Sequence, residues 1–548
     1  MKPSQSLRIL IGAVRVSVDA NEAEILNRAK DKMKRAGLST STLHFRLYKK
    51  SVDARRRDDI RLECTVLAEG DTERSAYPAS LLKRADARFL DEEPLRPVFG
   101  QEPLRKRPLI VGMGPAGLFA ALLLARNGYA PILIDRGASV FERVKDVERF
   151  RNNGILDVES NVQFGAGGAG TFSDGKLVTR IHDPRTSFVL NTLYEFGAPE
   201  EILYKAKPHV GTDLLREVVS AMLAEIQRLG GALYYRCKME DFTERSDGTL
   251  DVRTSRGTFS CGAMILAPGH SARDTYTLLL EKQFAIEPKP ISVGVRAEHL
   301  QTDIDSALYG QFAGHPNLGP AEYALSDTRG ERGVYTFCMC PGGEVVAVAS
   351  EEGGLVVNGM SNHARNGKNA NAAVLVSVGC NDFEPINGSV ALGAIAFQRR
   401  IERAAFLAGG GGYSAPIMTA GDFLNEKTGS LPTRVQPSYR DGAVRPADFT
   451  SVFPQFVTNS LRYALHSFGK KLPGYDAPDT VLTAAETRTS APLRLLRDRE
   501  TLSALGHSRV YPCGEGAGYA GGITSAAVDG IRASFALMSR FAPFCGEE

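Results

Sequence analysis

Gly112, Gly114 and Gly117 lie at the spacing G-x-G-x-x-G inside PLIVGMGPAGLFAALLLARNGYAPILIDRG, residues 108–137. The chemistry of this pattern is anion binding by backbone. Gly112 permits a tight turn, Gly114 lets the chain approach a pyrophosphate, and Gly117 lets helix and strand pack closely. Pro115 and Ala116 lie within the turn, where the first N–H groups of a helix and its positive dipole end face the phosphates. Asp135, 23 residues after Gly112, is placed to accept hydrogen bonds from ribose hydroxyls. Arg136 follows it, and Arg143, on the next helix, is a candidate for the pyrophosphate. The elements that must position these groups are a strand at Leu109–Val111, a helix at Leu118–Arg126 and a strand over 131–134.

A dinucleotide as long as FAD needs contacts beyond one glycine turn. RVYPCGEGAGYAGGITSAAVDGIRAS, residues 509–534, has a suitable form. Val510–Cys513 ends a strand. Gly514-Glu515 stands where flavoproteins usually have Gly-Asp, with the carboxylate on the ribityl chain. Gly521-Gly522-Ile523 opens a helix expected over 524–539, whose N-terminus would face the flavin pyrimidine edge. A third contact is Ile265-Leu266-Ala267-Pro268-Gly269, a strand ending in Gly269. Gly165 to Gly170 reads GAGGAG, but no apolar strand precedes it and Ser173-Asp174-Gly175 breaks any helix after it. It is expected as a loop beside the flavin, with Gly170 close by and Thr171, Ser173 and Lys176 as polar contacts. Lys176 would meet the pyrophosphate or flavin N1; a solvated lysine is the competing reading.

Together these three elements resemble the glutathione-reductase-type FAD superfamily. QFGAGGAGTFSDGKL (163–177), GLVVNGMSNHARNGKNANAAVLVSV (354–378) and ETRTSAP (486–492) are similar, more specifically, to a bacterial family of FAD-dependent dehydrogenases that also carry an N-terminal ferredoxin-like domain. The resemblance implies non-covalent FAD and offers no substrate.

The rest of the chain supplies the frame. At 548 residues two or three domains are expected. Residues 1–90 read as an α/β unit in β-α-β-β-α order, ferredoxin-like but lacking its last strand, with Ile25, Leu26, Ala29 and Met33 as a helical apolar stripe. Residues 91–106, rich in proline, read as a linker. The FAD-binding domain, Rossmann-like, is expected over 107–275, with a β-meander between Phe242 and Met264, and resumes at 501–548. Residues 276–500 read as an inserted mixed α/β substrate or cap domain. The fold class is thus α/β with a discontinuous FAD-binding domain. Leu355-Val356-Val357 reads as a strand, making Asn358 to His363 a candidate pocket lining, with a plain connecting loop as the alternative.

Lys+Arg 66 against Asp+Glu 63 is nearly balanced, which argues against a nucleic-acid coat. No apolar run approaches the ~18–20 residues of a membrane helix, and the cytoplasm is the expected compartment. The eight cysteines form no C-x-x-C; Cys338 and Cys340 read as small core residues on one face of a strand, and Cys513 as a buried strand end. The nine histidines show no metal-ligand spacing. His270 and His363 face the flavin or serve as structural hydrogen-bonding residues; both readings stay open, and no catalytic residue is named. The expected function is an FAD-dependent oxidoreductase taking a hydride from an unknown small organic donor, with NAD(P)H as a transient reductant. The alternatives are a flavoprotein acting mainly as a binding or RNA-associated factor, docking through Arg55-Arg56-Arg57, and a simple NAD dehydrogenase. Gly514-Glu515 and Gly521-Gly522 argue against the last.

Overall fold

The computed structural model describes residues 7–91 and 95–544. The first six residues of the expected N-terminal unit, positions 92–94 of the expected linker and the last four residues lie outside the described residues. The protein is mixed α/β, with several separate sheets.

The N-terminal part is a four-stranded antiparallel sheet, ordered His44–Asp53, Arg61–Gly70, Leu7–Ser17, Ala87–Phe89. The helix Glu22–Arg35 covers it with Ile25, Ala29 and Met33, and starts where the Asn21 side chain accepts from the Glu24 N–H at 3.0 Å. The strand missing from the sequence reading is Ala87–Phe89. At three residues it is too short to show an alternation of its own.

The expected linker is not free chain. Glu102 binds Arg509 at 2.6 Å and Arg540 at 2.7 Å, and the Gly100 N–H donates to the Met538 carbonyl at 2.8 Å. Leu104 is buried. The segment is therefore strapped along the last helix.

The sheet that carries the first glycine turn has five parallel strands, in the order Val510–Pro512, Met264–Leu266, Leu109–Val111, Ile132–Ile134, Ala232–Tyr234. Chain segments hundreds of residues apart are thus neighbours. The helix Pro115–Arg126 begins with proline at its first position. It is apolar all round because it is enclosed between the sheet and the last helix, Ile523–Arg540. Gly530 makes that approach feasible, since a Cβ there would collide with the Ala116 carbonyl. The meander is three antiparallel strands, Met239–Glu244, Leu250–Thr254 and Gly257–Cys261.

The chain leaves this body through Ile286–Pro288 and returns through Leu493–Leu495, which pair as a two-stranded neck. The boundaries expected at 276 and 500 thus fall outside the neck; the helix Arg273–Glu281 straddles the first. Between the neck strands stands a seven-stranded sheet whose middle strands, Asn369–Val378, Ile291–Leu300 and Val481–Glu486, are buried almost throughout. The helices Val390–Ala408 and Gln455–Lys471 pack into its core.

Candidate functional site

The carboxyl ends of the parallel strands open into one cavity of about 340 Å³, where open α/β sheets bind ligands. Three turns converge there: Gly112 to Ala116, Ala267 to Ala272, and Cys513 to Glu515 with Gly521 to Ile523. The fourth wall is the Gly165–Gly170 loop with Ser173, Asp174 and Lys176.

The glycines divide by what a side chain would meet. At Gly112, where φ is +100°, a Cβ would strike the Ala267 carbonyl, and at Gly117 it would strike the Gly112 carbonyl. These two are demanded by the fold. At Gly114 the nearest atom to a Cβ is Gly168 Cα at 3.7 Å, and at Gly269, Gly521 and Gly522 nothing lies within 4 Å. These four border open space, a cradle that a Cβ would begin to fill. The helices starting at Pro115 and Ile523 both begin at this space, and the N–H groups of a helix's first turn lack partners within it. The donor set suits a pyrophosphate between two glycine turns, so the residues fit FAD.

Asp135 lines the cavity, but its carboxylate already accepts from the Met113 N–H at 2.8 Å and the Gly137 N–H at 2.9 Å. It locks the first turn to the end of the second strand as well as facing the site. Arg136 also lines the cavity, stacked 4.4 Å over the Phe164 ring and paired with Asp274 at 2.6 Å. Gly170, Lys176, Gly514, Glu515 and Ile523 are in the wall.

Arg143 and Thr171 are placed differently from expectation, while Gly117 packs the helix against the strand as expected and does not itself line the cavity. Arg143 is fully buried, and its guanidinium donates to the carbonyls of Asn161, Val162, Gly165 and Ala166 at 2.7–3.3 Å. It holds the glycine-rich loop in shape and does not line the cavity. Thr171 is buried beneath that loop and accepts through its carbonyl from the Thr212 hydroxyl. Of Asn358 to His363, Asn358 is the one residue lining the cavity. His363 stacks on His209 with ring centroids 5.2 Å apart, its Nδ1 lying 3.1 Å from the Val210 carbonyl, so it serves to dock the inserted part. His270 is in the cavity wall, and its Nε2 has no hydrogen-bond partner among the described residues. Burial, then Arg488 and Arg273, pulls this imidazole down to about 4, so it is neutral at physiological pH. Cys513 is buried and its thiol pushed well up by burial. Arg55 closes on Asp53 at 2.5–2.7 Å in an exposed loop. Among the described residues no cluster of His, Cys, Asp and Glu could hold a metal, and no helix is long and apolar enough to cross a membrane.

The inserted part contributes residues that sequence reasoning missed. Arg296 is fully buried and binds Glu486 at 2.6 Å, Asn371 Oδ1 at 2.7 Å, Asn358 Oδ1 at 2.7 Å and the Cys338 carbonyl at 3.1 Å. Glu486, Cys338 and Arg488 line the cavity beside Asn358, which the sequence reading had included. The usable signal was ISVGVRAEHL, where Arg296 and Glu298 interrupt an apolar run. A charge there must find a buried partner.

Burial pushes the Glu515 carboxyl up to about 7, and Lys289 opposes this without reversing it. A folded value above the ordinary 4.5 contributes stability that is complete below about pH 4.5 and lost as pH rises through 7. Glu515→Gln in the ligand-free protein is therefore expected to match the parent at pH 4 and to exceed it by about 1–3 kcal/mol at pH 8. Urea midpoints at the two pH values measure this, and equal differences at both would contradict the assigned environment.

Residues 290–489 match the family model described as "FAD-dependent protein, C-terminal domain-like". These limits run from one neck strand to the other. An uncharacterized protein of Clostridium beijerinckii (strain ATCC 51743 / NCIMB 8052) is 45% identical over 502 residues, covering 90% of this chain and 92% of that one. Among solved structures, CtdE in complex with FAD is 11% identical, with 79% of this chain and 84% of that chain covered and a TM-score of 0.32. A variant of the halogenase PltM in complex with FAD is 11% identical over 80% and 71% of the two chains, TM-score 0.39. Lactococcus lactis thioredoxin reductase is 15% identical over 30% and 36%, TM-score 0.18.

Proposed function

The chain belongs to a family of FAD-dependent proteins, and from that premise we propose that it is an oxidoreductase in which a small organic donor passes a hydride to non-covalently held FAD. The cofactor is FAD. The observation that carries the reading is the convergence of three glycine turns, from residues 112–117, 267–269 and 514–523, on one cavity at the carboxyl ends of a parallel sheet. On this reading that sheet and its meander form a discontinuous FAD-binding domain. The part between the neck strands is the substrate or cap domain, and the N-terminal unit is a ferredoxin-like appendage.

Gly112 to Gly117 and the first turn of the helix at Pro115 would hold the pyrophosphate, and Asp135 the ribose. Glu515 would face the ribityl hydroxyls, and Gly521 to Ile523 the pyrimidine edge. When bound, the flavin supplies two-electron acceptance. The protein's own residues exclude water, orient the donor and set local charge. His270 offers a neutral ring nitrogen at the wall. Lys176 offers a cation: burial lowers its affinity for a proton, but Cys340, Cys338, Asp174 and Glu322 together hold it above the ordinary lysine range. Exposed Val178 and Phe337 flank the cavity and would admit an apolar donor.

The purified protein is expected to be yellow and to release FAD on heating. Anaerobic titration with NADH and NADPH then identifies any nicotinamide reductant by bleaching of the flavin band. Release of FMN, or a protein that stays colourless after incubation with FAD, would reject the reading.

A further inference from the structure

Two thiols meet at the cavity wall. Cys338 and Cys340 end the strand Val334–Cys340. The strand pairs Phe337 with Ala373 and Cys340 with Asn371, so one extra residue is accommodated between the two pairs. Cys338 takes φ +44° at this bulge, a conformation rare for a residue with a side chain. In a regular strand the two would share a face about 6.6 Å apart, near the upper limit of what a disulfide spans. The bulge bends the chain between them. The Cys340 thiol donates to the Cys338 carbonyl at 3.2 Å. Cys338 lines the cavity, and Cys340 is buried behind it. Both are free thiols.

The charges around the pair are unlike those around the other buried cysteines. Arg296 Nη1 lies 4.0 Å from Cys340 Sγ and 3.1 Å from the Cys338 carbonyl, and Lys176 acts on both thiols. Asp174 and Glu486 face the pair with the opposite sign, each partly neutralised by its own cation, Asp174 by Arg365 and Glu486 by Arg296. Burial pushes the Cys64 thiol up to about 11 and the Cys261 thiol up to about 12. Cys340, Lys176 and Arg296 around it instead hold Cys338 well below the ordinary thiol range, while Cys340 is held above it. A low-lying thiolate backed by a protonated thiol is the arrangement of a thiol that exchanges.

We propose that Cys338 and Cys340 are a dithiol–disulfide couple that exchanges two electrons with the flavin of the same cavity. This rests on the assignment of FAD to that cavity. In the oxidising direction the Cys338 thiolate and the Cys340 thiol form one S–S bond. The S–H bond of Cys340 breaks, and FAD takes the electron pair and that one proton to become FADH⁻. The reverse step cleaves the disulfide, returning Cys338 as thiolate and Cys340 as thiol. The substrate class implied at the cavity mouth is a small thiol or disulfide.

The test uses the full-length protein as purified. Both cysteines fall in one tryptic peptide, 333–365, so their state is read together. After reduction and removal of reductant, iodoacetamide at pH 6 is expected to modify Cys338 at least about ten times faster than any other cysteine. Cys340→Ser should slow that labelling at pH 6 and much less at pH 9. Stoichiometric diamide should remove two hydrogens from the peptide and block both sites. Anaerobic dithionite should deliver two more electrons per flavin to the oxidised wild type than to Cys338→Ser. Slow labelling of Cys338, or equal electron uptake by the two proteins, overturns the couple and leaves the flavin reading standing. A protein that binds no flavin but still closes the disulfide overturns the flavin reading, and with it the exchange proposed here.

Discussion

Gly114→Val is expected to strip the protein of flavin and leave its fold standing. Gly114 has φ −74° and ψ −179°, which any residue can adopt. The first atom a Cβ meets is Gly168 Cα at 3.7 Å, an ordinary contact. A β-branched residue at this helix start should cost only about 1 kcal/mol of stability. Its methyl groups, however, would occupy the throat between the first glycine turn and the Gly165–Gly170 loop, where the pyrophosphate has to approach the backbone. The expected loss of affinity is at least about 100-fold, or roughly 2.7 kcal/mol. Gly117→Ala should do the opposite. Its Cβ collides with the Gly112 carbonyl and comes within 3.3 Å of Ile110 Cγ2. Both neighbours are fixed by the sheet, so the cost falls on folding, about 2–3 kcal/mol or more. The ratio of flavin to protein absorbance after gel filtration, with a thermal melt by circular dichroism, separates the two effects. Full flavin occupancy in Gly114→Val, or a wild-type melt in Gly117→Ala, would show that the two glycines have been given the wrong roles.

That contrast also marks what can be read from the chain before it folds. A glycine turn between a strand and a helix is a local signal, written in consecutive residues, and Gly112 to Gly117 and Gly514 to Ile523 carry it openly. Both turns lie at the cavity, and the strands that bear them are separated by only one neighbour in the sheet. Arg143 shows the limit of such signals. An arginine shortly after a dinucleotide turn suggests a phosphate ligand, yet four backbone carbonyls of the Asn161–Ala166 loop claim its guanidinium. No local pattern announces that a loop needs an internal organiser. The same holds for the segment around Glu102. Its prolines read as a spacer, and its carboxylate finds Arg509 and Arg540 more than 400 residues away. Cys338 is hidden for another reason. Period-two spacing puts it on a strand face with Cys340, but the extra residue before Cys340 and the positive φ depend on register with Asn369–Val378, which the strand itself does not encode.

The inserted part is joined to the body that carries the five-stranded parallel sheet by charge as well as by the neck. Glu402, on the helix Val390–Ala408, is buried. Its carboxylate binds Arg273 at 2.7 and 2.9 Å, Arg488 at 2.9 and 3.1 Å and the Thr487 hydroxyl at 2.8 Å. Burial works against this carboxylate, but the two guanidinium groups overcome it and hold the group ionised, well below the ordinary range. Arg273 follows the Gly269 turn, and Arg488 stands in the cavity wall. One anion therefore links the helix after the third turn, the strand end of the inserted sheet and the wall between them. Glu402→Gln keeps the shape and removes the charge, leaving two buried cations against Glu351, which Arg399 also engages at 2.6 Å. The expected cost is about 3–5 kcal/mol, because an unmatched buried charge is far more expensive than the net value of the pair it came from. Adding Arg273→Met to Glu402→Gln should recover part of the loss, because the second change removes one of the stranded cations, and a coupling of about 0.5–3 kcal/mol is expected between the sites. Urea denaturation of the two variants and of Arg273→Met alone gives the coupling. Flavin content should fall with Glu402→Gln as Arg488 shifts in the wall. A single-variant loss below about 1 kcal/mol would mean that water reaches the cluster and screens it, and the two bodies would then be held together by the neck and by apolar packing alone.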